Sequence, residues 1–188
     1  MSQLRQYSRA RIAITTAFII NGSMAGTFYS RIADIKEEYG ISNSALGFAL
    51  LVVSIGVLVG LGFSGKQSAK RGSAPVTFYA TYALGASLLL VGAANNYLTL
   101  CLTFLVLGAC LATQDVAMNS HAIVLEHEAD KRYMSTFHAM FSLGALGGGL
   151  VGAWFSQHNI DLMKHVAFIA MLVFLANFCV RNWFLPAE

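Results

Sequence analysis

The sequence predicts an all-α integral membrane protein. Six transmembrane helices are arranged as a three-plus-three inverted repeat, with both termini on the cytoplasmic side. Three observations carry this. The 188 residues are 56% hydrophobic and only 11% charged, with mean hydropathy +0.62, whereas soluble domains carry about 25% charged residues. The charges fall in short clusters separated by uncharged runs of membrane-crossing length, about 20 residues. The 17 glycines gather inside those apolar runs, where they let helices approach closely in lipid.

The elements follow in order. Residues 1–11 form a polar, basic cytoplasmic tail with Arg5, Arg9 and Arg11. The next charge is Arg31, so 12–30 is the first span. A secretory leader is the other reading of an early apolar run, but this one is long and more spans follow. Residues 31–39 form a short charged loop, and Ser42-Asn43-Ser44 is a helix-start signal. The second span is 45–64, with Gly56 and Gly60 as a close-packing face. A basic loop at 65–72 carries Lys66, Lys70 and Arg71.

Residues 76–114 hold no charge at all. That is too long for one crossing, and Asn95-Asn96 is the place to turn. The third span is therefore 76–94, and the fourth is 97–125. A charged loop at 126–132 leads to the fifth span, 133–155, where Gly144, Gly148 and Gly152 recur every fourth residue. This ridge is read as packing. The sixth span is 165–184, and 186–188 is the C-terminal end. The six-helix bundle thus covers 12–185.

The distribution of lysine and arginine supports the count of crossings. With six spans, nine fall on the side of the termini (Arg5, Arg9, Arg11, Lys66, Lys70, Arg71, Lys131, Arg132 and Arg181) and three on the other (Arg31, Lys36 and Lys164). The excess marks the cytoplasmic side. This accounts for the formal charge of +3 without nucleic acid, for which no basic patch with interleaved aromatics exists. Cys101, Cys110 and Cys179 have no metal-ligand spacing and read as small buried hydrophobes. No metal or cofactor is expected.

An internal repeat supports the inverted arrangement. Phe18-Ile-Ile-Asn-Gly-Ser-Met-Ala-Gly-Thr27 is similar to Phe104-Leu-Val-Leu-Gly-Ala-Cys-Leu-Ala-Thr113. The two segments lie in the first and fourth spans, which cross in opposite directions.

Six polar side chains lie within the apolar spans and are the candidates for chemistry. Asp115 is the one carboxylate that cannot be placed in a loop or tail. It is read either as a protonatable coupling group facing a water-filled path or as a structural acid near the end of the fourth span. Asn119, four residues on, shares its helix face. Asn119 and Gln114 would bond a solute hydroxyl or a neighbouring helix. His138 is at similar depth in the fifth span and would relay protons near neutral pH or bond a neighbour; Ser142 shares its face. Asn21, near mid-span, lines the path or pairs with another helix.

Asp115-Val-Ala-Met-Asn119 and Met134-Ser-Thr-Phe-His-Ala-Met-Phe-Ser-Leu-Gly144, with Ser30-Arg-Ile32 and Ile35-Lys-Glu-Glu38, carry a family resemblance. Over nearly its whole length the chain resembles the amino-terminal half of a major facilitator superfamily transporter, closest to the bacterial fucose-permease-like sugar transporters. The resemblance implies proton-coupled transport of a small polar solute by alternating access across the bacterial cytoplasmic membrane. It implies Asp115 and His138 for proton coupling, with Asn21, Gln114, Asn119 and Ser142 along the path. It also implies a gating motif at 65–74, where Gly65, Lys70, Arg71 and Gly72 fit. Ala69 stands at the family's usual aspartate, and Ser73 and Ala74 replace its basic pair. Phe104 stands where the family often has arginine.

Such transporters have two six-span halves. The expected partners are the lipid bilayer, a small polar solute, protons, and either a second six-helix half or a second copy. A truncated or split product, a separate second half and a dimer are the competing explanations for six spans. An oligomeric channel or a non-transporting scaffold is the alternative function. An intramembrane hydrolase using Ser142 and His165 is a weaker one, because no G-x-S-x-G turn is present.

Overall fold

The computed structural model describes residues 3–186. Within them the chain forms seven helices: α1 (Gln3–Ser30), α2 (Ile32–Glu38), α3 (Asn43–Arg71), α4 (Ser73–Ala93), α5 (Tyr97–Ala129), α6 (Met134–Gln157) and α7 (Leu162–Val180). All except α2 are long and apolar enough to cross a membrane. No strand occurs among the described residues.

Local sequence sets the helix ends. Ser42 accepts a hydrogen bond from the Ala45 amide at the start of α3. Asn96 and Thr99 form a reciprocal capping box at the start of α5. The Glu126 carboxylate accepts from the Tyr133 and Met134 amides and so fixes the α5–α6 corner.

Three stretches differ most from the sequence reading. The polar stretch 1–11 is helical from Gln3 onward and continues into α1. The charged loop at 31–39 is mostly the short helix α2, seated by buried Ile35. The basic loop at 65–72 is a correction: α3 runs through Gly65, Lys70 and Arg71, and only Gly72 breaks it. Residues 66–71 contain good helix formers and no proline, so nothing stops the helix earlier. Gly72 has φ +81°, a conformation that disfavours any side chain, and α4 starts at the next residue. The C-terminal stretch 186–188 lies outside the described residues beyond Pro186.

Helix pairing is built on glycine. In lipid no hydrophobic force drives helices together, so close van der Waals contact must do so. Along α1 and α6, a Cβ at Gly144 or Gly148 would overlap the carbonyl oxygens of Ile19 and Ser23, and one at Gly22 would overlap that of Phe141. Along α3 and α5, Gly56 and Gly60 meet the carbonyls of Leu105 and Ala109, and Gly108 meets that of Val53.

The two sets are the same contact made twice. Ile19, Ser23 and Gly22 each map 86 positions on to Leu105, Ala109 and Gly108, the offset of the repeated Phe18–Thr27 and Phe104–Thr113 segments. Phe141, Gly144 and Gly148 map 88 positions back to Val53, Gly56 and Gly60. The three-plus-three inverted repeat is therefore present in the packing as well as in the sequence. α4 and α7, the third members of each set, pack on one another, and Asn177 of α7 donates to the Phe78 carbonyl at 3.0 Å.

α1 also touches α5 and α7, so it runs through the middle of the bundle. One core cluster gathers Met24, Phe28, Leu84, Leu88, Leu100 and Phe104; a second gathers Ile14, Phe18, Met118, Leu125 and Phe137. Phe104 is fully buried and packs edge-on against Phe28 at 5.1 Å. Gly152 meets Ser30 and His165. The outer faces of α3 and α6 are bare, exposing Phe48, Leu51 and Leu58 on one and Leu143, Leu150 and Trp154 on the other.

Candidate functional site

Asp115 is half-buried on α5, with Asn119 one turn on. The Asn119 amide donates to the Asp115 backbone carbonyl at 2.9 Å and to its carboxylate at 3.2 Å. Helical spacing alone produces this pairing. Across from them on α6, His138 is exposed and lies within charge–charge range of the Asp115 carboxylate. Its ring packs edge-on against Phe18 of α1 at 5.4 Å. Ser142 is exposed one turn further along and donates to the His138 carbonyl at 3.1 Å.

Four of the candidates thus collect on one open face. Its walls are α5 and α6, and α1 lies between them. A carboxylate, an imidazole, an amide and a hydroxyl are thus presented together on that face.

Asn21 and Gln114 stand elsewhere. Both are buried, and the Asn21 amide donates to the Gln114 side-chain oxygen and to the Leu111 carbonyl at 3.3 Å. Gln114 donates in turn to the Ala17 carbonyl at 3.1 Å and to the Thr81 hydroxyl at 3.4 Å. This network ties α1, α5 and α4 together inside the bundle. Buried amides without partners are costly, and here each satisfies the other.

Lys70 and Arg71 form no ion pair among the described residues. Ser142 and His165 do not meet: His165 stacks on Phe155 at 4.5 Å. Phe155 lies thirteen residues beyond Ser142 on α6, about 20 Å of helix rise.

A second polar cluster was not singled out from sequence. Arg31 is buried, forms an ion pair with Asp34, and donates to the Ile160 carbonyl at 2.8 Å. Ser156 donates to the Asp34 carboxylate at 2.8 Å. His165 is fully buried beside them. This clasp joins the α1–α2 corner to the α6–α7 hairpin at the end of the bundle opposite the termini. In sequence Arg31 reads as one of three basic residues on its side; a single arginine directly after a span is the only signal.

At the other end, buried His121 accepts from the Leu185 amide at 3.3 Å through Nε2. Nδ1 must then carry the proton, and it bonds the Ser73 hydroxyl at 3.0 Å. His121 so holds the start of α4 and the C-terminal segment to α5.

The family model for the major facilitator superfamily matches residues 13–188. The chain belongs to the major facilitator superfamily. It is a multi-pass membrane protein of a transporter family, and its curated relatives are bacterial. An uncharacterized MFS-type transporter of Yersinia pestis is 30% identical over 171 residues, covering 89% of this chain and 44% of that protein. The uncharacterized transporter y4wD of Sinorhizobium fredii is 26% identical over 172 residues, covering 90% and 46%. The membrane protein MosC of Rhizobium meliloti is 27% identical over 167 residues, covering 86% and 41%. The chain spans less than half the length of these curated relatives.

Proposed function

We propose that this chain is the amino-terminal half of a secondary active transporter that couples movement of a small polar solute, of the kind carried by fucose-permease-like sugar transporters, to protons. One observation carries the reading: Asp115, with Asn119 beside it and His138 opposite, faces an open surface between α5 and α6. An ionisable group at membrane depth is expensive unless it works on a path or is paired. Protonating Asp115 removes its charge and lowers the cost of reorienting the half around the solute. The bare faces of α3 and α6 flank this surface, as they would where a second six-helix half, or a second copy, completes the path. The termini face the cytoplasm of a bacterial inner membrane, in line with the nine-to-three split of basic residues.

The test is accumulation of radiolabelled hexoses and related polyols in proteoliposomes holding the assembled transporter under an imposed proton gradient. Asp115→Asn abolishes accumulation and preserves solute exchange at equal pH. Gradient-driven accumulation at the original level in Asp115→Asn removes Asp115 as the coupling group. Flux indifferent to the gradient in the parent protein points to a channel instead.

A further inference from the structure

A groove of about 430 Å³ opens to the membrane between α3, α4 and α5, away from the Asp115 face. Its walls are Val59 and Phe63 on one side and Tyr79 and Ala83 on the other, and Gln67 and Arg71 stand at one end. Val59, Phe63 and Tyr79 are each more than half exposed. Thr113 on the floor is satisfied within the bundle, donating to the Ala109 carbonyl at 2.7 Å. The body of the groove is therefore apolar, and its polar capacity is concentrated at the Arg71 mouth.

From the structure we infer that this groove binds one anionic phospholipid, with its phosphate at Arg71 and Gln67 and an acyl chain between α3 and α4. Length fits one leaflet. Val59 to Arg71 is twelve residues of continuous helix, about 18 Å of rise, against about 15 Å for half a hydrocarbon core plus the step to the headgroup.

Charge fits as well. Lys66, Lys70 and Arg71 lie within six residues, and no aspartate or glutamate occurs between Glu38 and Asp115. Neither α3 nor α4 can neutralise this end from within, and Arg71 has no ion-pair partner among the described residues. A lipid phosphate supplies the missing charge, and basic residues at the membrane surface attract anionic lipid at about 1 kcal/mol each. The one-residue break at Gly72 places the starts of α4 and the end of α3 side by side, so the mouth cannot be closed by a flexible loop.

Two measurements test this on the full chain. In native mass spectrometry of delipidated protein, phosphatidylglycerol binds at one copy per chain, while diacylglycerol, which lacks the phosphate, binds far less. Arg71→Gln weakens phosphatidylglycerol about fivefold, and Ala83→Phe, which fills the groove from a lipid-facing position, removes the bound copy. Leu146→Phe on the bare face of α6 leaves it in place. Equal binding in Arg71→Gln and Ala83→Phe overturns the inference. So does full competition by glycerol phosphate, which would mark a headgroup-anion site without an acyl groove. In native membranes, a benzophenone side chain in place of Tyr79 yields lipid adducts; adducts to a second half or second copy instead overturn the assignment in favour of a helix in the groove.

Discussion

Gly144→Ala and Gly147→Ala are three residues apart on α6, yet the packing predicts opposite outcomes. A Cβ at Gly144 would overlap the Ile19 carbonyl oxygen and lie 3.0 Å from both the carbonyl carbon and the Cα of Ile19. α1 and α6 must separate by roughly 0.5–1 Å to restore ordinary contact, and such a gap forfeits a quarter to a half of each atom pair's ~0.1–0.2 kcal/mol. Over the few tens of atom pairs that two helix turns bring together, the loss is about 1–3 kcal/mol. Helix propensity returns up to about 1 kcal/mol of it. At Gly147 a Cβ meets nothing within 4 Å, so only the propensity gain remains. Thermal unfolding of the purified protein in detergent, followed by fluorescence, should place Gly144→Ala clearly below the parent and Gly147→Ala at or above it. Gly56→Ala and Gly62→Ala repeat the contrast on α3, because Gly56 meets Leu105 and Gly62 meets open space. Equal midpoints for Gly144→Ala and Gly147→Ala would refute glycine-mediated contact as the basis of the α1–α6 pair.

Three further outcomes follow from the buried polar groups. Arg31→Gln leaves the Asp34 charge without its cation and removes the bond to the Ile160 carbonyl, so the same unfolding assay should show a loss of about 3 kcal/mol; a neutral result means the clasp is not formed. Asn21→Ala strands one side of the Gln114 amide and should cost about 1–2 kcal/mol, whereas Asn21→Leu combined with Gln114→Leu should cost less than the sum of the two single changes. Strict additivity would show that the two amides are not partners. His121→Phe removes the acceptor of the Leu185 amide, and limited proteolysis should then cut the C-terminal segment faster than in the parent; unchanged cleavage argues against that anchor.

The number of crossings and the inverted repeat were legible because both are written in short-range patterns. Charge clusters bracket the spans, and the Phe18–Thr27 and Phe104–Thr113 segments share a glycine at the same place, which proves to be a residue of close helix approach in each pair. What could not be read was the direction each face points. These helices are apolar all round, so no polar stripe separates a lipid face from a protein face. Asn21 and Gln114 are 93 residues apart, and nothing in either segment announces that they pair rather than line a path. Arg31, Asp34, Ser156 and His165 are likewise joined only by the fold. The helix through 65–71 was hidden because glycine and lysine there read equally well as a loop, and only the positive φ at Gly72 marks where the chain turns.

The central claim is that the face carrying Asp115, Asn119, His138 and Ser142 is wet in the assembled transporter. Substituted-cysteine labelling tests it most directly. With Cys101, Cys110 and Cys179 replaced by alanine, single cysteines at Asn119, Ser142 and Leu58 are exposed in native membranes to a charged, membrane-impermeant thiol reagent on each side in turn. Asn119→Cys and Ser142→Cys should label, with protection by a transported solute, while Leu58→Cys on the bare apolar face of α3 should not. Failure of Asn119→Cys and Ser142→Cys to label from either side would contradict a water-filled path at Asp115.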